Sequence, residues 1–181
     1  NMDEKDSASL YGTFIALVFF TPFLGGLIAD RYLGYRRSII LGGLMMGVGY
    51  CTMGIHNETM LYVSMALVIV GNGFFKPNIS TLLGNVYSTP EHKHQKDEGY
   101  NIFYMGINMG AFLGQLICPL IGDVVDANGA RDIYAFKWGY LAAAIAMLIG
   151  TATFFFLKDK YVRTPEGRPI GGLPSKNVAE D

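Results

Sequence analysis

The stretch "VGNGFFKPNISTLLGNVY", Val70 to Tyr87, is apolar apart from Lys76, and Pro77 follows that lysine directly. It lies inside a longer run, 59–89, in which Lys76 is the only charged side chain. This run is longer than the roughly 20 residues that a helix needs to cross a bilayer. The stretch therefore predicts a membrane-spanning helix that carries one charge within the membrane.

Four further stretches contain no charged side chain, at 7–29, 38–55, 99–122 and 138–157. Half of the chain is hydrophobic (51%) and only 16% is charged, which favours a membrane protein over a soluble one. We predict an all-α integral membrane fold, with one transmembrane bundle over 1–158. Its five helices should cover about 8–29, 38–56, 59–86, 99–121 and 138–157. We predict that the remainder, 159–181, is a cytoplasmic linker or a truncated tail.

Basic residues orient this bundle, because Lys and Arg concentrate in cytoplasmic loops. They follow the first, third and fifth predicted helices, as Arg31, Arg36 and Arg37, then Lys93 and Lys96, then Lys158, Lys160 and Arg163. The chain should thus be a multi-pass protein of the cytoplasmic membrane, surrounded by the lipid bilayer, with its first residues outside. A net charge of −1 gives no support to a nucleic-acid partner. The few histidines and cysteines show no metal-ligand spacing, so we predict no metal site.

Lys76 is the strongest functional signal in the chain. A lysine at the centre of a membrane helix costs about 2.5 to 3.5 kcal/mol. It lies twelve residues before Ser88, about 18 Å along a helix and too far for its side chain to reach the interface. Pro77 removes one backbone donor and can kink the helix, which needs a polar lining nearby. Since no Asp or Glu lies in any predicted span, the partner is a substrate or lies outside this chain.

The fourth predicted helix contains small residues at four-residue spacing, Gly106, Gly110 and Gly114, which favours close helix packing. Asn108 lies about 200° around the helix from Gly106 and therefore faces away from that ridge. Its amide either bonds a neighbouring helix or faces a polar cavity, and position alone leaves both alternatives open.

Three motifs resemble the proton-dependent oligopeptide transporters (POT) of the major facilitator superfamily. They are "GGLIADRYLGYRRSI" at 25–39, "GNGFFKPNISTLLGNVY" at 71–87 and "FYMGINMGAF" at 103–112. The resemblance places the five helices at positions two to six of a twelve-helix transporter. It implies alternating-access symport of di- and tripeptides with protons, driven by the proton gradient without a cofactor. The first helix and the C-terminal half would then lie outside this chain, which we expect to be an inactive fragment on its own.

The same resemblance implies roles for particular residues. Lys76 would lie in the central cavity, couple proton movement to peptide binding, and meet a peptide carboxylate or a first-helix glutamate. Asn108 would hydrogen-bond the peptide backbone or terminus, and Tyr11 would lie near the cavity. Departures from the family pattern limit this transfer: Phe19 replaces a more usual tyrosine, and Asn72 replaces a threonine.

The loop after the first helix carries a second group of candidates. Asp30 can accept hydrogen bonds at a neighbouring helix start and pair with Arg31 or Arg37. The resemblance implies a cytoplasmic gate, and the alternative is a solvated basic loop that only sets topology. The gate residues would be Gly26, Asp30, Arg31, Gly34, Arg36 and Arg37, with the two glycines allowing close approach and a tight turn.

Two other functions remain open at this stage. One is a membrane peptide receptor or scaffold that binds without transporting. The other is a membrane-embedded enzyme that uses Lys76 as a base or to form a Schiff base. No nucleophile and base pair or phosphate-binding loop accompanies Lys76, so we expect the protein not to be an enzyme.

Overall fold

A computed structural model describes residues 4–55, 57–88, 90, 92–125, 135–164 and 167–173. Five long helices account for most of them: α1 (Glu4–Ile28), α2 (Tyr35–Met53), α3 (Glu58–Val86), α4 (Lys96–Gly122) and α5 (Phe136–Tyr161). A π-helical turn, Ala29–Leu33, prolongs α1, and a 3-10 turn, Lys93–Gln95, precedes α4. The predicted all-α fold with five helices is confirmed. The helices extend a few residues beyond the charge-free stretches because charged side chains are tolerated at helix ends.

Within these ranges, four helices are long and apolar enough to cross a membrane. They are α1 with its π turn, α3, α4 with its 3-10 turn, and α5. The shorter helix α2 begins with two arginines and is rich in glycine. Its 19 residues span about 28 Å, close to the roughly 30 Å of a hydrocarbon core. A membrane-spanning role for α2 therefore stays a prediction.

The helix α2 lies between α3 and α5 and packs on both through glycines. A Cβ added at Gly42 would lie 2.6 Å from the Gly71 carbonyl oxygen of α3, and one at Gly71 would lie 2.8 Å from the Gly42 oxygen. On its other side, a Cβ at Gly47 would lie 2.6 Å from Leu148 of α5. Small residues let these backbones approach closely, which favours helix association where no hydrophobic driving force operates.

The remaining helices extend this arrangement at both ends. The helix α1 packs on α3, where a Cβ at Gly25 would clash with the Gly73 carbonyl. The helix α4 packs mainly on α5 and reaches α3 through Tyr100, whose hydroxyl donates to the Ser80 carbonyl oxygen at 3.1 Å. The neighbours therefore run α1, α3, α2, α5, α4. The glycine ridge predicted on α4 meets no neighbouring atom of the described residues within 4 Å.

The tail segment (162–164 and 167–173) packs on the bundle. Ile170 N donates to the Val162 carbonyl at 3.2 Å, and Thr164 N donates to the Arg168 carbonyl at 2.9 Å, in antiparallel fashion. The segment then passes Gly34, between the π turn and α2, where a Cβ would clash with the backbone at Gly172. Its described part thus folds back onto the helices, and the expectation of a cytoplasmic linker for 159–181 stays a prediction about its location.

Replacing Gly42 by alanine should destabilise the protein by about 1 to 3 kcal/mol, because the added methyl group has no space against α3. Gly150→Ala is the matched control, since nothing lies within 4 Å of its Cβ position. Thermal unfolding of the detergent-purified variants should show a lower Tm for Gly42→Ala only. Equal Tm values for the two variants would contradict the close α2–α3 contact.

Candidate functional site

Lys76 lies on α3 and is exposed. Its ammonium nitrogen is 5.6 Å from the centre of the Phe19 ring of α1, within the range of a cation–π contact worth about 0.5 to 2 kcal/mol. Phe19 itself is 72% exposed. Among the described residues, no carboxylate pairs with Lys76. The charge thus faces outward from these helices, with one aromatic ring as its nearest support.

One turn before Lys76, Asn72 forms a contact that sequence reasoning missed. Its side-chain amide donates to the Val18 carbonyl oxygen of α1 at 3.0 Å. In α1, that carbonyl would normally accept from the residue four positions on, but that residue is Pro22, which has no N–H. A second bond joins the same helices, from the Thr21 hydroxyl to the Ile69 carbonyl at 3.0 Å. A proline within a predicted membrane helix was the available signal.

Pro77 lies inside α3, which continues as a helix beyond it to Val86. The proline deprives the Gly73 carbonyl of its intrahelical donor, and this is the carbonyl against which Gly25 of α1 packs. A Cβ at Gly26 would lie 3.9 Å from the Pro77 Cβ, an ordinary contact distance. The proline therefore lies at the α1–α3 contact, and a kink there stays a prediction.

Asn108 lies on α4 and is exposed. The antiparallel helices α3 and α4 touch where Tyr100 meets Ser80. From that level, Lys76 is about 6 Å along α3 towards the start of that helix, and Asn108 is about 12 Å along α4 towards its end. The two residues therefore lie on the same side of this contact, about one helical turn apart in depth, and no contact among the described residues joins them.

Tyr11 is 67% exposed and lies about 12 Å before Phe19 along α1. Its level is that of an open cavity of about 400 Å³ between the first turns of α1 and α3. The structure therefore does not bring Tyr11 to Lys76. The cavity lining is Asp6, Ser9, Leu10, Thr13, Glu58 and Tyr62.

Arg36, one of the predicted gate residues, is buried, with 7% of its surface exposed. Its guanidinium donates to Asp159 at 2.8 Å, to the Lys158 carbonyl at 3.1 Å, to the Ile170 carbonyl at 2.7 Å and to the Val162 carbonyl. The planar fork of five donors suits such a cluster of acceptors. Arg36 thereby joins the start of α2 to the end of α5 and to the tail segment.

The other gate candidates lie nearer the surface. Asp30, Arg31 and Arg37 are exposed, and among the described residues Asp30 pairs with neither arginine. Burial raises the pKa of the Tyr35 hydroxyl, and the nearby Asp30 carboxylate raises this pKa further. Gly34 has φ +75°, a conformation that favours glycine and provides the expected tight turn.

Comparison with known proteins identifies the family. A family model described as "POT family" matches residues 36–173, more than half of the chain. The chain belongs to the POT family. The matched range includes Lys76, Asn108, Arg36 and the tail segment, whereas Asp30 and Arg31 lie before it.

Individual POT relatives agree with this assignment. The chain is 35% identical over 169 residues to a "Di-/tripeptide transporter" of Lactococcus lactis, covering 93% of the chain and 31% of that relative. It is 33% identical over 178 residues to "Dipeptide and tripeptide permease A" of Proteus mirabilis, covering 95% and 34%. Both proteins are transporters, which favours a non-enzymatic family. The chain spans about a third of the length of these relatives.

A solved POT structure shares the arrangement of the helices. A mutant of "peptide transporter POT", in complex with alafosfalin, superposes with a TM-score of 0.80 at 32% identity. The match covers 98% of this chain and 34% of that one. The fold is thus that of a multi-pass membrane transporter segment.

Replacing Arg36 by lysine should loosen the tail segment, because a single ammonium cannot reach acceptors on both α5 and the tail. Trypsin cleavage after Arg163 should become about three- to tenfold faster, since cleavage follows local opening. The exposed Arg37→Lys provides the matched control. Equal cleavage rates in the two variants would show that Arg36 does not hold the tail.

Proposed function

We propose that this chain is part of a transporter that carries di- and tripeptides together with protons across the cytoplasmic membrane. The observation that carries this proposal is an exposed lysine within a POT-family membrane helix, without a carboxylate partner among the described residues. The named relatives support the substrate class, since the two described above are peptide transporters. The proton gradient supplies the energy, and no cofactor takes part.

Lys76 is the proposed coupling residue. A charged lysine at this depth is stabilised only by an opposite charge or by a polar cavity. The peptide carboxylate or an acidic side chain outside this chain can supply that charge, and the two compete for one ammonium group. Protonation of the acidic side chain would release Lys76 to bind peptide. Proton movement and peptide binding would thus be linked through one side chain.

Asn108 and Tyr11 have separate positions in this proposal. Asn108 lies about one helical turn from Lys76 in depth, and in this proposal its amide bonds the peptide backbone at the central site. A site that recognises the backbone of the peptide would accept peptides with different side chains. Tyr11 lies about 12 Å from Phe19 along α1, so in this proposal it acts apart from Lys76, on the approach to that site.

In the proposed cytoplasmic gate, exposed and buried residues have different roles. Asp30, Arg31 and Arg37 are exposed at the cytoplasmic end and can form contacts that break and remake between outward-facing and inward-facing states. Gly26 and Gly34 permit the close packing and the turn beside them. Arg36 keeps α2, α5 and the tail segment together, so that this end moves as a unit.

Uptake of a labelled dipeptide into proteoliposomes tests the proposal. The full-length protein containing this chain should accumulate the peptide only when a proton gradient is imposed. Lys76→Ala should reduce accumulation by about tenfold or more, because it removes the coupling charge. The matched control is Lys137→Ala, which removes an exposed lysine that likewise lies over a ring, 5.4 Å from that of Trp138.

The outcomes separate the alternatives. Gradient-driven accumulation that Lys76→Ala abolishes and Lys137→Ala preserves supports the proposal. Peptide binding without accumulation in the native protein would instead favour a receptor. Covalent trapping of a substrate on Lys76 by borohydride would favour an enzyme.

A further inference from the structure

We propose that Asn72 is a positioning residue for Lys76, and this role rests on the proposed transport function. Asn72 supplies the hydrogen bond that Pro22 withholds from the Val18 carbonyl. It thereby fixes the turn of α3 that carries Lys76 against α1. The observations are the 3.0 Å bond from Asn72 to Val18, the proline four residues after Val18, and the contact of Lys76 with the neighbouring residue, Phe19.

The need for a donor comes from the membrane. A backbone carbonyl in the hydrocarbon region has no water to bond, so its donor must come from the protein. In a regular helix the backbone N–H of residue 22 would donate to the Val18 carbonyl, but Pro22 has no N–H. The Asn72 amide occupies that role from the adjacent helix. This makes the α1–α3 contact specific in register, because the donor must reach one particular carbonyl.

The second bond between these helices differs in kind. Thr21 donates to the Ile69 carbonyl, which also has the N–H of Gly73 four residues on as its intrahelical donor. Loss of the Thr21 hydroxyl thus leaves that carbonyl with a partner. Loss of the Asn72 amide leaves the Val18 carbonyl without its described donor. Thr21 is therefore a matched control, on the same interface and at the same bond length.

The geometry connects Asn72 to Lys76. The two residues are four apart on α3 and so lie on one face. The two residues they contact on α1, Val18 and Phe19, are adjacent in the chain. A shift or rotation of α3 that breaks the Asn72 bond would also move the Lys76 ammonium from the Phe19 ring. Asn72 acts through this placement and need not touch the substrate.

A double-mutant cycle tests the donor role, measured by thermal unfolding of the full-length protein in detergent. Asn72→Leu should lower Tm by several degrees, and Thr21→Val should lower it less. In a Pro22→Ala background, residue 22 regains its N–H and the Asn72→Leu shift should fall to half or less. An equal shift in both backgrounds would overturn the proposal. If Asn72→Leu does not fold, the smaller Asn72→Ala removes the amide donor without adding a charge beside Lys76, and the same comparison applies.

The placement of Lys76 has a readout that needs no substrate. Reductive methylation of Lys76, followed by mass spectrometry, should change in rate by about threefold or more in Asn72→Leu, as expected for residues coupled through contact. The rate in Thr21→Val should match the native rate. If Lys76 is methylated at the same rate in Asn72→Leu as in the native protein, Asn72 stabilises the fold but does not position Lys76.

Transport then tests the consequence for coupling. In proteoliposomes, Asn72→Leu should reduce gradient-driven dipeptide accumulation by about fivefold while preserving exchange of labelled for unlabelled dipeptide. Adding Asn72→Leu to Lys76→Ala should cause no further loss. Unchanged accumulation, or additive losses, would refute the positioning role. If the native protein accumulates no peptide, the transport proposal fails. The unfolding and methylation measurements do not depend on transport, so they still test whether Asn72 positions Lys76.

Discussion

The constraint on which this fold depends is that each backbone carbonyl in the membrane interior needs a donor from the protein itself. Two prolines at the α1–α3 crossing each remove one such donor. Asn72 serves the Val18 carbonyl that Pro22 leaves, and the Gly73 carbonyl that Pro77 leaves packs against Gly25. The Asn72 bond fixes the register of the two helices, and the Gly25–Gly73 contact brings their backbones close together. Lys76 lies at this crossing, four residues after Asn72 on α3.

A second anchor lies where the buried guanidinium of Arg36 joins α2, α5 and the tail segment. Its partner Asp159 is half exposed, so the ion pair itself contributes little and the backbone carbonyls matter more. The helices between the two anchors meet through glycines, which provides rigid contacts without large side chains. The helices α1, α2, α3 and α5 are thus joined to one another by direct contacts.

The sequence predicted the helices well because long stretches without charge, such as that around Lys76, admit few other structures. The sequence also identified candidate functional residues, but it did not predict which residues they contact. Arg36 and Arg37 are neighbours in sequence, and only the packing of α5 and the tail decides which one is buried. The ridge of Gly106, Gly110 and Gly114 identifies a face suited to packing but no partner. Asn72 was missed because its role depends on Pro22, which lies on another helix.

Side-specific labelling of Lys76→Cys tests the central claim, that this position lies in a cavity that opens alternately to each side. In an otherwise cysteine-free background, with Cys51 and Cys118 replaced, a membrane-impermeant thiol reagent is applied from either side of the membrane. The cysteine should react from both sides of the membrane even without a gradient, because loss of the coupling charge leaves the conformational change itself possible. Ile149→Cys, on the exposed apolar face of α5, should react from neither side. Lack of reaction of Lys76→Cys from both sides, under every gradient, would contradict the account.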